Sequence, residues 1–568
     1  MTPAAPQWIV KPVDPDVLAE VKKNPEVSHL SPLVHHLLAQ RNLTDPRVLT
    51  QFLHPRLKDL TDPFLMPEME AAVDRLLTAI DTQEKITLYG DYDVDGVTSL
   101  ALLGSVLTAY ECDPAYLMPL RMEEGYGISE EGLNRCLTES EPTLIVAVDC
   151  GTNSKAELAG LREKGVDTII LDHHEPDPEM RPDCVALVNP KLGDDFHYLC
   201  SAGVVFKVAH ALLKRRPNPD LDLRNFLDLI ALGTVADIVP LVDENRILVH
   251  RGLPRVQHTE NIGLRALKSE CRLNGTINAR DIGFRIGPRI NAAGRLDTAE
   301  ASLNLLLERS PEKARDLSKD LEMRNRERQK VEQNMFAEAM ALLGEDFNPA
   351  DCCSIVIGSH GWHPGVVGIV ASRIMRQFFR PTFIIAFDES DTGKGSGRSI
   401  RGISLVEILA ACRDLTVRSG GHDMAAGVTL TWDNYADFRD RFETIVRETS
   451  DPDQLRPRIW FDAETRLEDL TFSLLDSYEL LEPFGTANPR PLFMTRGVFP
   501  VGTPRCLQEK HLRFRLEQDG TVKEAMYFGG AEVDLPAPPW DIAFTIERNE
   551  YRGTRSVQIS ISRVRQAA

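Results

Sequence analysis

Three aspartates in one short stretch offer the clearest chemistry in this chain. Asp91, Asp93 and Asp95 alternate within the sequence GDYDVDG. The apolar run at residues 86–89 predicts a buried strand before them, and leucines at helical spacing follow from Val97. Carboxylates packed this closely repel one another, and a bound divalent cation relieves that cost. The stretch therefore predicts a cation site where a strand meets a helix.

A calcium-binding loop is the first alternative for this stretch. The pattern D-x-D-x-D-G also opens an EF-hand loop, which needs a bidentate glutamate at its twelfth position. Counted from Asp91, that position is Leu102, and a strand rather than a helix is predicted before the loop. The sequence thus disfavours an EF-hand. For this stretch taken alone, a solvated acidic turn stays open.

Further acidic and imidazole side chains follow other apolar runs. Asp149 ends PTLIVAVDCG, Asp172, His173 and His174 follow DTIIL, and Asp237 lies near the end of FLDLIALGTVADIVPL. We predict a strand for each run, so that four strand ends present Asp or His at one edge of a parallel sheet. Oxygen ligands with one or two imidazoles suit manganese or magnesium, and two such ions favour hydrolysis of a phosphate ester. The residues therefore predict a two-metal phosphoesterase.

The wider pattern predicts an α/β protein with several parts. Strands alternating with helices, including a helix predicted at residues 153–164, indicate a doubly covered parallel sheet. Residues 311–343 have helical spacing and dense charge, which predicts one long solvated helix, with a groove lined by its basic residues as the weaker alternative. The predicted regions are a helical segment 1–80, a catalytic α/β domain 81–300, a connecting helix 301–350, a smaller α/β domain 351–454 and an antiparallel β-barrel 455–568, whose strands alternate with period two.

Composition limits the class of protein. The 568 residues are too many for one core, and 42% apolar with 26% charged residues is ordinary for a globular protein. A net charge of −20 argues against a generally basic surface, so a nucleic acid would bind only in a local groove. The ten cysteines form no C-x-x-C pair, and we expect no signal peptide and no membrane span. We therefore expect a cytoplasmic protein.

Several motifs resemble a known family. GDYDVDGVTS, VAVDCG, LDHHEP and TVADIVPL resemble the four signature motifs of the DHH phosphoesterase superfamily. RMEEGYGIS, GPRINAAGRLDTA, GSHGWHPGVVGIVASRI, GSGRS and SGGHDMAAG resemble its bacterial single-strand-specific 5′→3′ exonucleases. The resemblance implies that His174 contacts the scissile phosphate, that Asp91 lies close by or ligates, and that two Mn²⁺ or Mg²⁺ ions are held by Asp93, Asp95, Asp149, His173 and Asp237.

The second α/β region carries a phosphate-binding candidate. We predict a small-residue loop for GKGSGRS, in which glycines let the backbone approach a phosphate and Arg398 supplies a fork for its oxygens. The resemblance implies that this region is a DHH-associated domain, that the barrel is an OB-fold, and that Ser396 and Arg398 hold a terminal 5′ phosphate. The further substrate-binding candidates are Arg121, Tyr126 and Arg295, which the resemblance places along the strand, and His422.

Three functions compete at this point. The leading one is a single-stranded-DNA exonuclease that releases mononucleotides in DNA repair and recombination. A hydrolase of short oligonucleotides or cyclic dinucleotides is the second, although such relatives are generally smaller and lack the barrel. A non-catalytic scaffold is the third, and it would have lost the acidic residues that this chain retains. We expect a monomer without membrane contact that binds single-stranded DNA, with a single-strand-binding protein and a helicase as candidate partners.

Overall fold

The computed structural model describes residues 6–120, 124, 127–296, 299–344, 347–551 and 553–567, and of residues 295, 296, 551 and 554 the backbone alone. The chain forms two compact units. The smaller unit comprises Met1–Ile9 and Glu322–Ile459, and the larger comprises Val10–Leu321 and Trp460–Ala568. Among the described helices, none has the length and apolar character needed to cross a membrane.

The N-terminal segment is helical, as predicted. Its elements are strand β1 (Gln7–Val10) and helices α1 (Pro15–Lys23), α2 (Pro32–Gln40), α3 (Pro46–Leu53) and α4 (Met69–Asp81). Each of the first three helices begins with proline behind a capping side chain, namely Asp14, Ser31 and Asp45. Leu37 and Leu49 of these helices share one core with Phe493 and Phe544 of the C-terminal region. The first three helices are therefore folded together with the end of the chain.

The parallel sheet predicted from the sequence follows, and it has five strands. Its region contains β2 (Ile86–Gly90), α5 (Val94–Ala109), β3 (Ala115–Leu117), α6 (Glu130–Glu139), β4 (Leu144–Val148), β5 (Asp167–Leu171), β6 (Ala186–Val188), α7 (Ser201–Arg215), α8 (Leu227–Ala236) and α9 (Asp243–Gln257). The strand order is β3-β2-β4-β5-β6, and every neighbouring pair is parallel. Strands β2 and β4 are buried along their whole length, which explains their continuous apolar sequences.

Two predicted elements in this region are wrong. The run FLDLIALGTVADIVPL forms helix α8 rather than a strand, because an apolar run that is buried on all sides suits either element. Asp237 therefore follows a helix and not a strand. Residues 153–164, predicted as a helix, form turns and the short 3₁₀ segment Arg162–Lys164. Gly160 has a φ of 75° in this stretch, which a continuing right-handed helix does not allow.

Short helices lead from the sheet to one long helix. They are α10 (Ile262–Glu270), α11 (Ala279–Asp281), a π-helical segment (Ile282–Ile286), α12 (Gly287–Leu296) and α13 (Glu300–Leu307), and the long helix is α14 (Pro311–Leu343). This confirms the predicted long helix. The alternative, a groove lined by its basic residues, stays a prediction. It is weakened because Arg326 and Arg328 pair along the helix with Glu322 and Glu332.

The smaller unit contains a second α/β sheet. Its elements are β7 (Ile355–His360), α15 (Val367–Phe378), β8 (Thr382–Phe387), β9 (Thr392–Arg398), α16 (Leu405–Ala411), β10 (Arg418–His422), β11 (Ala425–Thr431) and α17 (Trp432–Thr449), with strand order β10-β11-β9-β8-β7. The loop predicted for GKGSGRS is wrong, because most of it is strand β9. A Cβ atom at Gly397 would lie 2.4 Å from the ring of Phe383, so glycine here permits close packing within the sheet.

The C-terminal region forms a closed barrel. Its elements are β12 (Arg458–Phe461), β13 (Ala463–Glu464), α18 (Phe472–Glu479), β14 (Phe493–Pro500), β15 (Arg505–Leu507), β16 (His511–Gln518), β17 (Thr521–Tyr527), β18 (Trp540–Tyr551) and β19 (Thr554–Gln566). The ring runs β14-β16-β17-β19-β18 and closes by pairing of β18 with β14. Within this ring β17 and β19 pair in parallel, so the prediction of a purely antiparallel barrel needs that correction. The five-stranded barrel fits the predicted OB-fold.

Candidate metal centre

The sheet brings three of the sequence motifs to one edge. Strand β2 is followed directly by Asp91, β4 by Asp149 and β5 by Asp172. These three strands are neighbours in the sheet. The carboxyl ends of parallel strands meet at the same edge, so these residues lie side by side. Asp149 has a left-handed φ of 63°, a conformation that is uncommon outside glycine and often marks a functional site.

Helix α7 holds two of the acidic side chains. The backbone N–H groups of Ser201 and Ala202 donate to the two carboxylate oxygens of Asp95, at 2.7 and 2.9 Å. The Ser201 hydroxyl donates to Oδ1 of Asp149 at 2.9 Å. A Cβ atom at Gly233 would lie 2.6 Å from Oδ1 of Asp95, so this glycine lets α8 pack against the carboxylate. Ser201 was not among the residues predicted from the sequence, because no local signal shows that this helix start faces the strand ends.

His173 lies at the centre of the acidic cluster. Its Nε2 atom is 3.4 Å from Oδ1 of Asp149, 3.5 Å from Oδ2 of Asp237 and 3.9 Å from Oδ2 of Asp95. Ligand atoms lie within 4.8 Å of one another in two groups that share His173, one with Asp149 and His174 and the other with Asp95 and Asp237. The spacing and the donor types suit divalent cations with oxygen and imidazole ligands.

The charges of this cluster favour a bound cation. Burial, together with the neighbouring Asp93, raises the pKa of Asp95 to about 7, and burial with the charge of Asp95 raises the pKa of Asp237 to about 8. The same causes raise the pKa of Asp149 well above its ordinary value. Oδ2 of Asp237 is buried and has no hydrogen-bond partner among the described residues. Carboxylates that are buried, close together and incompletely paired fit Mn²⁺ or Mg²⁺ as their counter-charge.

A second polar group fixes His174. Burial opposes the ionisation of Asp172, but its bond to Nδ1 of His174 (2.7 Å) and the N–H of Thr152 (3.0 Å) together lower its pKa. In return, the bond to Asp172 raises the pKa of His174 to about 9. The raised pKa favours the protonated form of His174, whose side chain is exposed. Asn189 donates to the main-chain carbonyl of His174 at 2.9 Å, a contact that the sequence did not reveal.

Asp93 and Asp91 border the cluster in different ways. Oδ1 of Asp93 caps helix α5 by accepting the N–H groups of Asp95 (2.8 Å) and Gly96 (3.1 Å). Asp91 accepts the N–H of Tyr92 at 2.8 Å. The charges of both raise the pKa of Asp149. The two groups of close ligand atoms contain neither residue, so metal ligation by Asp91 and Asp93 stays a prediction.

Two of the substrate-binding candidates of the smaller unit, Ser396 and Arg398, lie close together. Nη1 of Arg398 donates to Oγ of Ser396 at 2.9 Å, and burial lowers the Arg398 pKa. A Cβ atom at Gly368, in the first turn of α15, would lie 2.9 Å from Nη2 of Arg398, so the helix start approaches this pair. His422 ends β10 and is exposed. Arg121 and Tyr126 lie outside the described residues, and Arg295 lies in α12 with its side chain outside them.

Comparisons with known proteins agree with this organisation. Three family models match the chain. The DHH family N-terminal domain matches residues 85–234, the DHHA1 domain matches residues 351–448 and the RecJ OB domain matches residues 461–563. They cover the parallel sheet, the second α/β sheet and the barrel. The fold expected from the sequence is thereby confirmed.

Relatives match over nearly the whole chain. The single-stranded-DNA-specific exonuclease RecJ of Bacillus subtilis is 36% identical over 98% of this chain and 70% of its own length. The crystal structure of RecJ from Thermus thermophilus with Mn²⁺ matches 99% of this chain and 80% of its own, with 32% identity and a TM-score of 0.83. The structure of that protein with Mg²⁺ matches 99% of this chain and 79% of its own, with 30% identity and a TM-score of 0.76. With its DHH, DHHA1 and OB domains and this similarity, the chain belongs to the RecJ family.

Proposed function

We propose that this protein is a metal-dependent exonuclease that hydrolyses single-stranded DNA from its 5′ end and releases mononucleotides. The observation that carries the proposal is the convergence of Asp95, Asp149 and Asp237 within 3.4–3.9 Å of Nε2 of His173. RecJ relatives are single-stranded-DNA-specific exonucleases by name, and their solved structures hold Mn²⁺ or Mg²⁺. We also propose that it acts in DNA repair and recombination.

The residues of the proposed metal centre have different roles. The two ions would be held by His173 and by the carboxylates of Asp91, Asp93, Asp95, Asp149 and Asp237. When bound, Mn²⁺ or Mg²⁺ lowers the pKa of a water molecule and neutralises charge on the phosphate. His174, kept protonated by Asp172, donates a charge-assisted hydrogen bond to an oxygen of the scissile phosphate. Ser201 keeps the Asp149 carboxylate oriented through its hydroxyl.

The 5′ end is recognised in the smaller unit. Arg398 is partly buried beside Ser396 and forms no ion pair with any carboxylate that the structure describes. An arginine in this state, next to a hydroxyl and the start of α15, suits the extra charge of a terminal phosphate. Arg121, Tyr126, Arg295 and His422 are proposed to contact the rest of the strand. The barrel, which matches the RecJ OB domain, binds the strand beyond the site.

The setting of the protein is also proposed. All ten cysteines carry free thiols, which supports a cytoplasmic location where thiols stay reduced. A single-strand-binding protein and a helicase are the proposed partners, and the proposed state is a monomer. The domain boundaries at residues 80, 300, 350 and 454 likewise stay proposals.

One assay tests the proposed function. End-labelled single-stranded DNA, double-stranded DNA and a dinucleotide are incubated with the protein and Mn²⁺, and product length is followed with time. We expect mononucleotides from the single strand and little product from the duplex. Preferential hydrolysis of the dinucleotide would instead indicate a short-oligonucleotide hydrolase. A folded protein that cleaves none of the three would indicate a scaffold.

A further inference from the structure

The first turn of α9 carries three consecutive buried polar side chains. Glu244, Asn245 and Arg246 are 7%, 1% and 2% exposed. Buried polar groups are costly unless they are paired, so each should have a partner that matters to the fold. The turn begins six residues after Asp237, one of the proposed metal ligands. Its contacts therefore bear on how the segment that follows Asp237 is held.

Each of the three side chains contacts a different part of the larger unit. Glu244 pairs with the buried Lys207 and accepts the N–H of Thr61. Asn245 donates to the main-chain carbonyls of Tyr198 and Pro240, the latter at 3.0 Å. The turn therefore fixes the segment after Asp237 at Pro240 and joins it to α7 and to the N-terminal region.

Arg246 extends this anchoring to residues 480–489, which we name the bracing loop. Its guanidinium donates to the carbonyls of Glu482 (2.8 Å) and Leu480 (3.3 Å) and lies 3.6 Å from the ring centre of Phe52. Asn488 stabilises the bracing loop from within by donating to the carbonyls of Leu481 and Pro483, each at 2.8 Å. The bracing loop is thus a fixed structure attached to α9.

The bracing loop also contacts the segment after Asp237 directly. The N–H of Leu241 donates to the carbonyl of Thr486 at 2.9 Å. A Cβ atom at Gly485 would lie 2.7 Å from Cδ1 of Leu241, which is 2% exposed and has little room to move. Between Asp237 and Leu241, Ile238 adopts a left-handed φ of 62°. A β-branched residue rarely adopts this conformation, so the contacts on both sides must maintain it.

We propose that the bracing loop positions Asp237 for metal binding through Leu241, so that residues next to the barrel tune the metal affinity of the catalytic site. The proposal rests on the proposed function, in which Asp237 is a metal ligand. Helix α8 fixes the chain directly before Asp237, and the hydrogen bond from Leu241 to Thr486 fixes it four residues later. Groups that orient a metal ligand typically change metal affinity about 10- to 100-fold when they are altered.

The test is a direct titration of DNA-free full-length protein with Mn²⁺ by calorimetry. Gly485→Val places methyl groups against Leu241 and leaves every proposed ligand unchanged, so we expect the Mn²⁺ dissociation constant to rise about 10-fold. Leu241→Ala removes the crowded side-chain atoms, and we expect the Mn²⁺ dissociation constant to rise about threefold. The double variant should show the same rise, because the clash between residues 485 and 241 is gone. Gly275→Val is the matched control, since a Cβ atom there meets no neighbour within 4 Å.

The outcomes separate this proposal from the assignment of ligands. The role of the bracing loop would be overturned if Gly485→Val or Leu241→Ala bound Mn²⁺ with the wild-type dissociation constant while Asp237→Ala bound it more weakly. If Asp237→Ala bound Mn²⁺ with the wild-type dissociation constant, Asp237 would not be a metal ligand. Circular dichroism and thermal unfolding check that each variant is folded. Leu241→Ala introduces no clash, so it gives the deciding measurement even when Gly485→Val does not fold.

Discussion

Oδ1 of Asp149 accepts the hydroxyl of Ser201 at 2.9 Å and lies 3.4 Å from Nε2 of His173. Asp149 follows β4, His173 comes shortly after β5, and Ser201 opens α7. One carboxylate oxygen is therefore oriented by a helix start while it faces an imidazole from the neighbouring strand. We therefore expect the proposed metal centre to depend on Asp149.

Replacing Asp149 with alanine is expected to abolish hydrolysis. The change removes a buried carboxylate that lies 3.4 Å from Nε2 of His173 and that we propose as a metal ligand, so we expect a loss greater than the roughly 100-fold seen when supporting groups are removed. Binding of a long single strand should stay within about threefold of wild type, because the barrel and the smaller unit are untouched. Initial rates and strand affinity check this. Near-normal turnover by a folded variant would contradict the two-metal assignment.

Ser201→Ala separates orientation from ligation. The variant keeps the backbone N–H groups that bind Asp95 and loses the hydroxyl bond to Asp149. We expect a fall in turnover of about 10-fold, with recovery in excess Mn²⁺, because an orienting partner is lost rather than a ligand. Ser105→Ala is the matched control, since that hydroxyl donates within α5 to Ala101. If the two variants had equal effects on turnover, the Ser201 hydroxyl would have no specific role in the proposed site.

Arg398→Ala should weaken recognition of the 5′ end. Loss of one charged hydrogen bond costs about 1.5–3 kcal/mol, or roughly 10- to 100-fold in preference. We expect the ratio of initial rates on 5′-phosphorylated and 5′-hydroxyl strands to fall by that factor, with Mn²⁺ binding unchanged. Arg401→Ala, an exposed arginine nearby, provides the comparison. An unchanged ratio in Arg398→Ala would show that the end is recognised elsewhere.

The stability of the metal-free protein should fall as the pH rises through neutrality. The pKa values of Asp95 and Asp237 are raised from 3.8 to about 7 and about 8 in the folded state. Between about pH 6.5 and pH 8 these two groups bind more protons in the folded protein than in the unfolded chain, so stability decreases across that range. Below it, His173 and His250, whose pKa values are lowered to about 4, act in the opposite direction. Between about pH 6.5 and pH 8 the unfolding midpoint in chelator should fall with pH, and Asp237→Asn should flatten the slope. A midpoint that rises with pH over this range in wild type would contradict the raised pKa values.

Removal of the barrel should destabilise the N-terminal helices in addition to weakening the binding of single strands. Because every proposed ligand lies before residue 240, the sequence alone predicts that a chain cut near Arg456 still hydrolyses DNA. The structure adds a second consequence, because the N-terminal helices share their core with the barrel. We expect α1–α3 of the shortened chain to become sensitive to protease, as their apolar faces lose most of their cover. Equal protease resistance in the full and shortened chains would show that these helices fold without the barrel.

Local sequence patterns determined most of the architecture and the proposed ligands. Continuous apolar strands, charged helical spacing and period-two alternation depend on near neighbours, and they correctly indicated the parallel sheet, α14 and the barrel. The same patterns located Asp95, Asp149 and His173, because strand ends in a parallel sheet meet at one edge. Similarity of the motifs to a known family then indicated the chemistry.

Only the tertiary structure decided how distant segments meet. The run before Asp237 is buried on all sides, and such a run suits a helix or a strand equally, so its neighbours had to select α8. The bond from Ser201 to Asp149, the attachment of α1–α3 to the barrel and the contact of Leu241 with Thr486 join residues far apart in the chain. No local pattern encodes these contacts, because packing of completed elements brings the partners together.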